Sequence, residues 1–196
     1  KNQLKEPYMC FNYMMNNSIL NKNTLKYFNN LLYVCTELKI KNIVLPFFEE
    51  SIIQDFYFGI IIERIKLMSR EALKEKISLI LETSISGNKM FKFINDIEME
   101  NVGILIDSGN YYEFGFDIVK DLYLFKNLVT HIHIKDKNKN GENVILGTGL
   151  VNFSEVFLGL NNINYVGALN FETTRGSNPL ETAKYHINLC RFYQNL

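Results

Sequence analysis

The feature of this sequence that most restricts its fold is a regular alternation between short apolar runs and longer stretches with helical periodicity. Each of six apolar runs is followed by a stretch in which apolar residues recur every three or four positions. Strands that are apolar on both faces are typical of a parallel sheet covered by helices. The predicted strands are residues 8–14, 42–48, 77–83, 102–108, 129–136 and 166–173, and the predicted helices are about 24–38, 55–76, 87–97, 116–126, 153–160 and 178–194.

Length and composition favour one domain that covers residues 1–196, because 47% of the residues are hydrophobic and no linker divides the chain. The 21 basic and 21 acidic residues cancel, so the charge gives no reason to expect nucleic acid or a membrane surface as a partner. No apolar run approaches the roughly 20 residues of a membrane span. The three scattered cysteines predict a reduced, cytoplasmic setting.

Four of the predicted strands carry an acidic residue or a histidine near their carboxyl ends. The carboxyl ends of parallel strands lie on one side of a sheet, and in a (β/α)₈ barrel catalytic groups collect on that side. Side chains alternate between the two faces of a strand, so each of these residues shares a face with the residue two positions earlier. The side chains expected to converge on a common centre are Glu82, Asp107, His133 and Glu172.

The segment THIHIKD, residues 130–136, contains two of the three histidines of the chain. His131, His133 and Lys135 share one face of the predicted strand, and the two isoleucines between them share the other. Because the isoleucines suit the helix layer, we expect the imidazoles and the lysine to face the barrel axis. Asp136 is expected to brace the strand end or a neighbouring loop.

The chemistry of the four strand ends is that of a divalent-metal site. Three carboxylates and one imidazole suit Mn²⁺, Mg²⁺ or Co²⁺, with Zn²⁺ as a further choice, and carboxylates this close repel each other unless a cation lies between them. A metal that polarises a carbonyl stabilises the enediolate formed when the neighbouring carbon loses its proton. Glu82 and Glu172 lie on separate strands and can flank a substrate as acid and base. Proton return to the opposite face is epimerisation, and transfer between neighbouring carbons is aldose–ketose isomerisation.

Five short motifs occur in an order and spacing that resemble a known family. They are LILET (79–83), GILIDSGN (103–110), HIHIKD (131–136), LGTGLVNF (146–153) and YVGALNFETTRG (165–176). This half of the chain resembles the xylose-isomerase-like TIM barrels, and within them the sugar-phosphate isomerase/epimerase group. It is most similar to the pentulose- and hexulose-phosphate 3-epimerases and isomerases. The resemblance implies a TIM barrel of this type that lacks the first two βα units, so that six strands are recognisable and an oligomer can complete the barrel.

The resemblance also implies residue roles. It assigns one divalent metal ion (Mn, Co, Mg or Zn) to Glu82, Asp107, His133 and Glu172, and makes Glu82 and Glu172 the acid/base pair of an enediolate mechanism. The implied substrate is a small sugar or sugar phosphate. The residues expected to contact it are His131, Lys135, Arg175 and Asn110, where asparagine stands in place of a histidine that many relatives carry.

Each of these residues also has a structural interpretation. Asp107 can cap a turn, His131 can be a buried core histidine, and Lys135 can be a solvated residue at the barrel mouth. Gly147 and Gly149 predict a tight turn rather than a nucleotide loop, and His186 is expected on the surface of the last helix.

Two alternative functions stay open. A truncated barrel can be a catalytically impaired fragment or a binding module. An AP-endonuclease-like phosphodiesterase uses the same fold with a histidine-rich trinuclear zinc site, but three histidines and a net charge of zero fit that function poorly.

Overall fold

The computed structural model describes residues 7–195, and its contacts divide into two compact units, one up to Leu105 and one from Ile106. The predicted domain, 1–196, includes residues 1–6 and 196, which lie outside the described residues. Among the described residues no helix combines the length and the apolar character that crossing a bilayer requires.

The first unit consists of parallel strands joined by helices. Strand β1 pairs with β2, β2 with β3 and β3 with β4, and all three pairs are parallel. The last of these strands runs on to Asp107 in the second unit. The elements are β1 (Tyr8–Cys10), α1 (Tyr13–Asn16), α2 (Thr24–Glu37), β2 (Asn42–Phe47), α3 (Phe58–Lys74), β3 (Ser78–Thr83), α4 (Gly87–Ile97) and β4 (Val102–Asp107).

Strands β2, β3 and β4 are buried on both faces, as their apolar composition predicts, whereas β1 is partly buried. On one face Val44, Ile80 and Leu105 form a buried cluster, against which Tyr8 and Cys10 pack. The alternate residues of the same strands, such as Ile43 and Leu79, are also fully buried. Ile80 and Leu105 therefore point to the same side of neighbouring strands, which confirms the predicted alternation there.

Among its described residues, the second unit contains one parallel strand pair, a short hairpin and four α-helices. Strand β5 pairs with β8, with His133 opposite Asn170, and β6 pairs antiparallel with β7. The elements are α5 (Ser108–Glu113), α6 (Ile118–Phe125), β5 (Val129–Ile134), β6 (Asp136–Lys137), β7 (Asn143–Val144), α7 (Phe153–Asn162), β8 (Leu169–Phe171) and α8 (Pro179–Gln194).

The structure differs from the predicted elements in several places, among them the hairpin of β6 and β7, which was not predicted. The first strand ends at Cys10 rather than 14, because the backbone amides of Met14 and Met15 turn back onto the carbonyls of Phe11 and Asn12 and begin α1. The last strand covers only 169–171 of the predicted 166–173. The short helix α5 was not predicted, since its sequence, SGNYYE, has no apolar periodicity.

Asp136 stabilises the loop that follows the hairpin. Its carboxylate accepts hydrogen bonds from the backbone N–H groups of Lys137, Gly147, Gly149 and Val151 at 2.9–3.1 Å, and the residue is fully buried. A Cβ atom at position 149 would lie 2.3 Å from Asp136 Oδ1, so glycine is required there. The predicted bracing role of Asp136 and the predicted tight turn are both confirmed.

We expect Asp136→Asn to lower the free energy of unfolding by about 3 kcal/mol. The NH2 group of asparagine would face backbone N–H groups that need an acceptor, and the site is buried. Urea denaturation followed by circular dichroism measures this change. Asp117→Asn is the matched control, since exposed Asp117 caps α6 through one oxygen and asparagine caps a helix equally well. Equal losses in the two variants would contradict the role of Asp136.

Candidate metal centre

Strand β5 divides its side chains between two faces as predicted. His131, His133 and Lys135, at the strand end, are 4%, 7% and 6% exposed, and the rings of the two histidines meet edge to face at 5.4 Å. The two isoleucines between them, on the opposite face, are fully buried. Polar side chains this deeply buried need partners, which for His133 and Lys135 come from the ends of β4 and β8.

Three predicted ligands of the second unit lie together. Asp107 ends β4, and Glu172 follows β8, where its backbone N–H donates to the carbonyl of Ile134 and continues the parallel ladder. Glu172 Oε2 lies 2.8 Å from His133 Nδ1, and Asp107 Oδ2 lies 3.6 Å from the same nitrogen. The other oxygen of Asp107 accepts the backbone N–H of Asn110 at 2.8 Å and caps α5.

Lys135 connects the two carboxylates. Its Nζ lies 3.1 Å from Asp107 Oδ2 and 3.1 Å from Glu172 Oε1. The alternative interpretation of Lys135 as a solvated residue is therefore wrong, and its side chain has the inward orientation expected from the alternation along the strand. The ammonium is held inside the cluster by the two charges that it neutralises.

The pKa values of Glu172, Lys135 and His131 are shifted in defined directions. The hydrogen bond from His133 lowers the pKa of Glu172 to about 2, with help from the charge of Lys135 and against the effect of burial. Burial tends to lower the pKa of Lys135, but the charges of Asp107 and Glu172 outweigh it and the pKa is raised. Burial, followed by the charge of His133, lowers the pKa of His131 to about 4, so His131 is neutral at physiological pH.

The donor set of Asp107, His133 and Glu172 fits a divalent ion. One ligand atom from each residue lies within 4.8 Å of the others. With metal–ligand bonds of about 2.1 Å, two atoms on the same ion are separated by about 3 to 3.5 Å, close to the 2.8 and 3.6 Å found here. Two carboxylate oxygens and one imidazole nitrogen suit borderline ions such as Mn²⁺, Co²⁺ and Zn²⁺. Ligation by His133 Nδ1 requires the tautomer with its proton on Nε2.

Three further predicted site residues are Glu82, Asn110 and Arg175. Glu82 belongs to the first unit, at the carboxyl end of β3, and is 9% exposed. Asn110 lies in α5 and contributes its backbone N–H to Asp107. Arg175 is exposed and lines a cavity of about 320 Å³ together with Thr173, Thr174 and His186. Within the described residues, it is not part of the ionic contacts of the trio formed by Asp107, His133 and Glu172.

Sequence reasoning missed two residues that position Lys135. The Ser108 hydroxyl accepts the backbone N–H of Lys135 at 2.9 Å and donates to its carbonyl at 2.7 Å. A Cβ atom at Gly109 would lie 2.7 Å from Lys135 Cγ, so the glycine makes room for the lysine side chain. The only indication in the sequence was that two small residues, Ser108 and Gly109, directly follow the strand in the segment DSGN.

His186 corrects a further prediction. It is 2% exposed rather than on the surface of α8, because its Nε2 accepts the backbone N–H of Leu146 at 3.3 Å and its Nδ1 lies 3.1 Å from the Thr173 hydroxyl. Burial lowers its pKa. This histidine joins α8 to the loop after the hairpin and to the segment after β8.

Comparison with known proteins gives one family and several solved structures. The family model described as xylose isomerase-like TIM barrel matches residues 5–193, which confirms the predicted fold class. A search of curated proteins gives no match.

The solved structures that resemble the chain share its fold at low sequence identity. An L-ribulose 3-epimerase superposes with a TM-score of 0.75 at 13% identity over 87% of this chain and 67% of its own. A D-psicose 3-epimerase, solved in the presence of D-fructose, has a TM-score of 0.75 and 17% identity over 92% and 75%. The IOLI protein with a bound zinc atom has a TM-score of 0.72 and 17% identity over 90% and 73%. The chain thus spans about two thirds to three quarters of these proteins.

The pKa of His131 predicts a pH dependence of stability. Since its folded pKa of about 4 lies below the unfolded value of 6.5, the unfolded state binds more protons in that interval. Stability is present above pH 6.5 and falls as the pH drops towards 4, by up to about 3 kcal/mol from this residue.

We expect His131→Gln to reduce this loss, measured as free energy of unfolding in urea between pH 7 and 4 with a chelator present. A residual slope is expected from His186, whose pKa is also lowered. An unchanged slope in His131→Gln would show that the imidazole is not held neutral by the fold.

Proposed function

Because the chain belongs to the xylose isomerase-like TIM barrel family, we propose that it is a divalent-metal-dependent isomerase or epimerase that acts on a ketose or ketose phosphate. The observation that carries this proposal is the meeting of Asp107, His133 and Glu172, whose donor atoms lie at separations typical of one ion. The names of two structural neighbours, a ribulose and a psicose 3-epimerase, support a sugar as the substrate.

Glu82 is proposed as the fourth ligand. Within the first unit, the register pairs Leu81 with Ile104, and Ile80 shares a buried cluster with Leu105. Glu82 lies two residues after Ile80, and Asp107 lies two residues after Leu105. Side chains two residues apart on a strand share a face. This relation supports the assignment of Glu82 and Asp107 to one side of adjacent strands.

The reaction is proposed to proceed through an enediolate. The metal, when bound, would supply positive charge that raises the acidity of the C–H bond next to a carbonyl and stabilises the resulting anion. Glu172, which is half exposed at the end of β8, removes the proton from the carbon. Glu82 protonates the opposite face of the planar anion, which inverts the carbon centre, whereas return by the same carboxylate to the neighbouring carbon gives the isomer.

The proposal assigns substrate contacts to His131, Lys135, Asn110 and Arg175. Neutral His131 can donate to or accept from a sugar hydroxyl. The Lys135 ammonium has three donors, and two carboxylates take two of them. Arg175, beside the threonines of its cavity, suits a phosphate group, so the proposed substrates include phosphorylated ketoses. A cytoplasmic location and a homo-oligomer, both predicted from the sequence, belong to the same proposal.

We expect about one divalent ion per chain in protein supplied with Mn²⁺ or Co²⁺ and then desalted. His133→Ala and Glu172→Ala each remove a donor and should lose the ion, as measured by plasma mass spectrometry of the purified proteins. Glu181→Ala, an exposed carboxylate on α8 paired with Lys184, should retain it. Wild-type protein that holds no metal after this treatment would refute the metal centre.

A second experiment tests the acid/base pair by following incorporation of solvent deuterium into ketoses and ketose phosphates by NMR. Glu172→Gln should lower the rate of deuterium exchange about 10²-fold to 10⁴-fold for the epimer whose proton faces Glu172. Glu82→Gln should instead slow exchange of the opposite epimer, since each carboxylate serves one face. Exchange unaffected in both variants would contradict their roles. Ketose binding without exchange in the wild type would favour the alternative of a binding module.

A further inference from the structure

We propose that Lys135 is an internal counter-cation, which shares the carboxylates of Asp107 and Glu172 with a divalent ion and thereby lowers the affinity of the centre for that ion. This inference rests on the proposed function, because it concerns the same centre. It assigns Lys135 a role in setting metal affinity in addition to any contact with substrate.

The geometry gives Lys135 the same anionic atoms that would bind the metal. Its ammonium lies 3.1 Å from Asp107 Oδ2, the one oxygen of that carboxylate that the α5 cap does not use. It lies at the same distance from Glu172 Oε1. The ammonium and a divalent ion would be attracted by the same two carboxylates. The presence of either cation therefore reduces the electrostatic stabilisation that the carboxylates give to the other.

The lysine cannot easily leave the centre. Its side chain is 7% exposed, and a buried ammonium separated from its carboxylates would lose their compensation. Its backbone is held in both directions by the Ser108 hydroxyl, at 2.7 and 2.9 Å. Gly109 lies directly against the aliphatic part of the side chain. We therefore expect Lys135 to keep its charge beside the carboxylates, where an incoming cation meets its repulsion.

Removal of this charge should therefore strengthen metal binding. We expect Lys135→Met, which keeps the length and apolar part of the side chain, to bind Mn²⁺ about tenfold more tightly or better. The same variant should be less stable in the presence of a chelator, because two carboxylates then share a buried site without a cation. A gain of affinity is the decisive readout, since structural damage would weaken binding.

The experiment is isothermal titration of the chelator-stripped full chain with Mn²⁺, for wild type, Lys135→Met and Lys137→Met. Lys137 is the matched control: it is two residues further on, equally buried, and paired with Glu113 instead of the trio. Its substitution should leave the Mn²⁺ affinity unchanged. An equal gain in both variants would show that net charge alone is responsible and would overturn the role of Lys135.

Gly109→Ala provides an independent variant. The added methyl group would lie 2.7 Å from Lys135 Cγ and 3.0 Å from its Cβ, so it must displace the lysine while leaving the charge in the chain. We expect a smaller gain of Mn²⁺ affinity, in the same direction. If Lys135→Met fails to fold by circular dichroism, the affinity of Gly109→Ala decides the question.

The outcomes separate this inference from the proposed function. Tighter Mn²⁺ binding by Lys135→Met than by the wild type supports the counter-cation, even when binding to the wild type is too weak to measure. Binding to the wild type with an equal or weaker affinity of Lys135→Met overturns the counter-cation and leaves the metal centre intact. No binding to any variant overturns both.

Discussion

The parallel pairing of β5 with β8 is the interaction on which the candidate centre depends. It sets His133 opposite Asn170, and the ladder continues when the backbone N–H of Glu172 donates to the carbonyl of Ile134. This register brings the Glu172 side chain beside His133 and Lys135. A slip of one residue would turn the isoleucines towards the centre and the imidazoles to the opposite face. Burial of the isoleucines therefore also determines that the imidazoles face the centre.

Charge compensation then decides how the centre is built. Asp107 is almost fully buried, which is tolerable because one of its oxygens caps α5 and the other contacts Lys135. Glu172 is half exposed and has partners in both His133 and Lys135. Glu172, the more exposed carboxylate, is the one proposed to meet a substrate, whereas buried Asp107 is proposed only as a ligand. The two acids thus differ in solvation, and the proposed roles follow that difference.

The sequence was sufficient for the repeated strands and helices and for the face on which each β5 residue lies, since both follow from periodicity. It was insufficient for α5, whose first residues are small and polar and whose start depends on the Asp107 cap. The burial of His186 was missed because its partners, Leu146 and Thr173, are distant in sequence. For the same reason periodicity placed Lys135 on the correct face but did not pair it with Asp107 and Glu172.

The motif H-x-H-x-K-D combines chemistry and architecture within six residues. Lys135 points into the carboxylates, whereas the next residue, Asp136, points the other way and holds four backbone N–H groups of the following segment. Loss of either residue would disturb the centre, but by different routes: one changes its charge, and the other releases the loop behind it. Activity alone would therefore not distinguish a residue of the centre from a residue of its support. Metal affinity distinguishes them, because removal of a cation that shares the ligand atoms is expected to raise the affinity, whereas release of the supporting loop is expected to lower it.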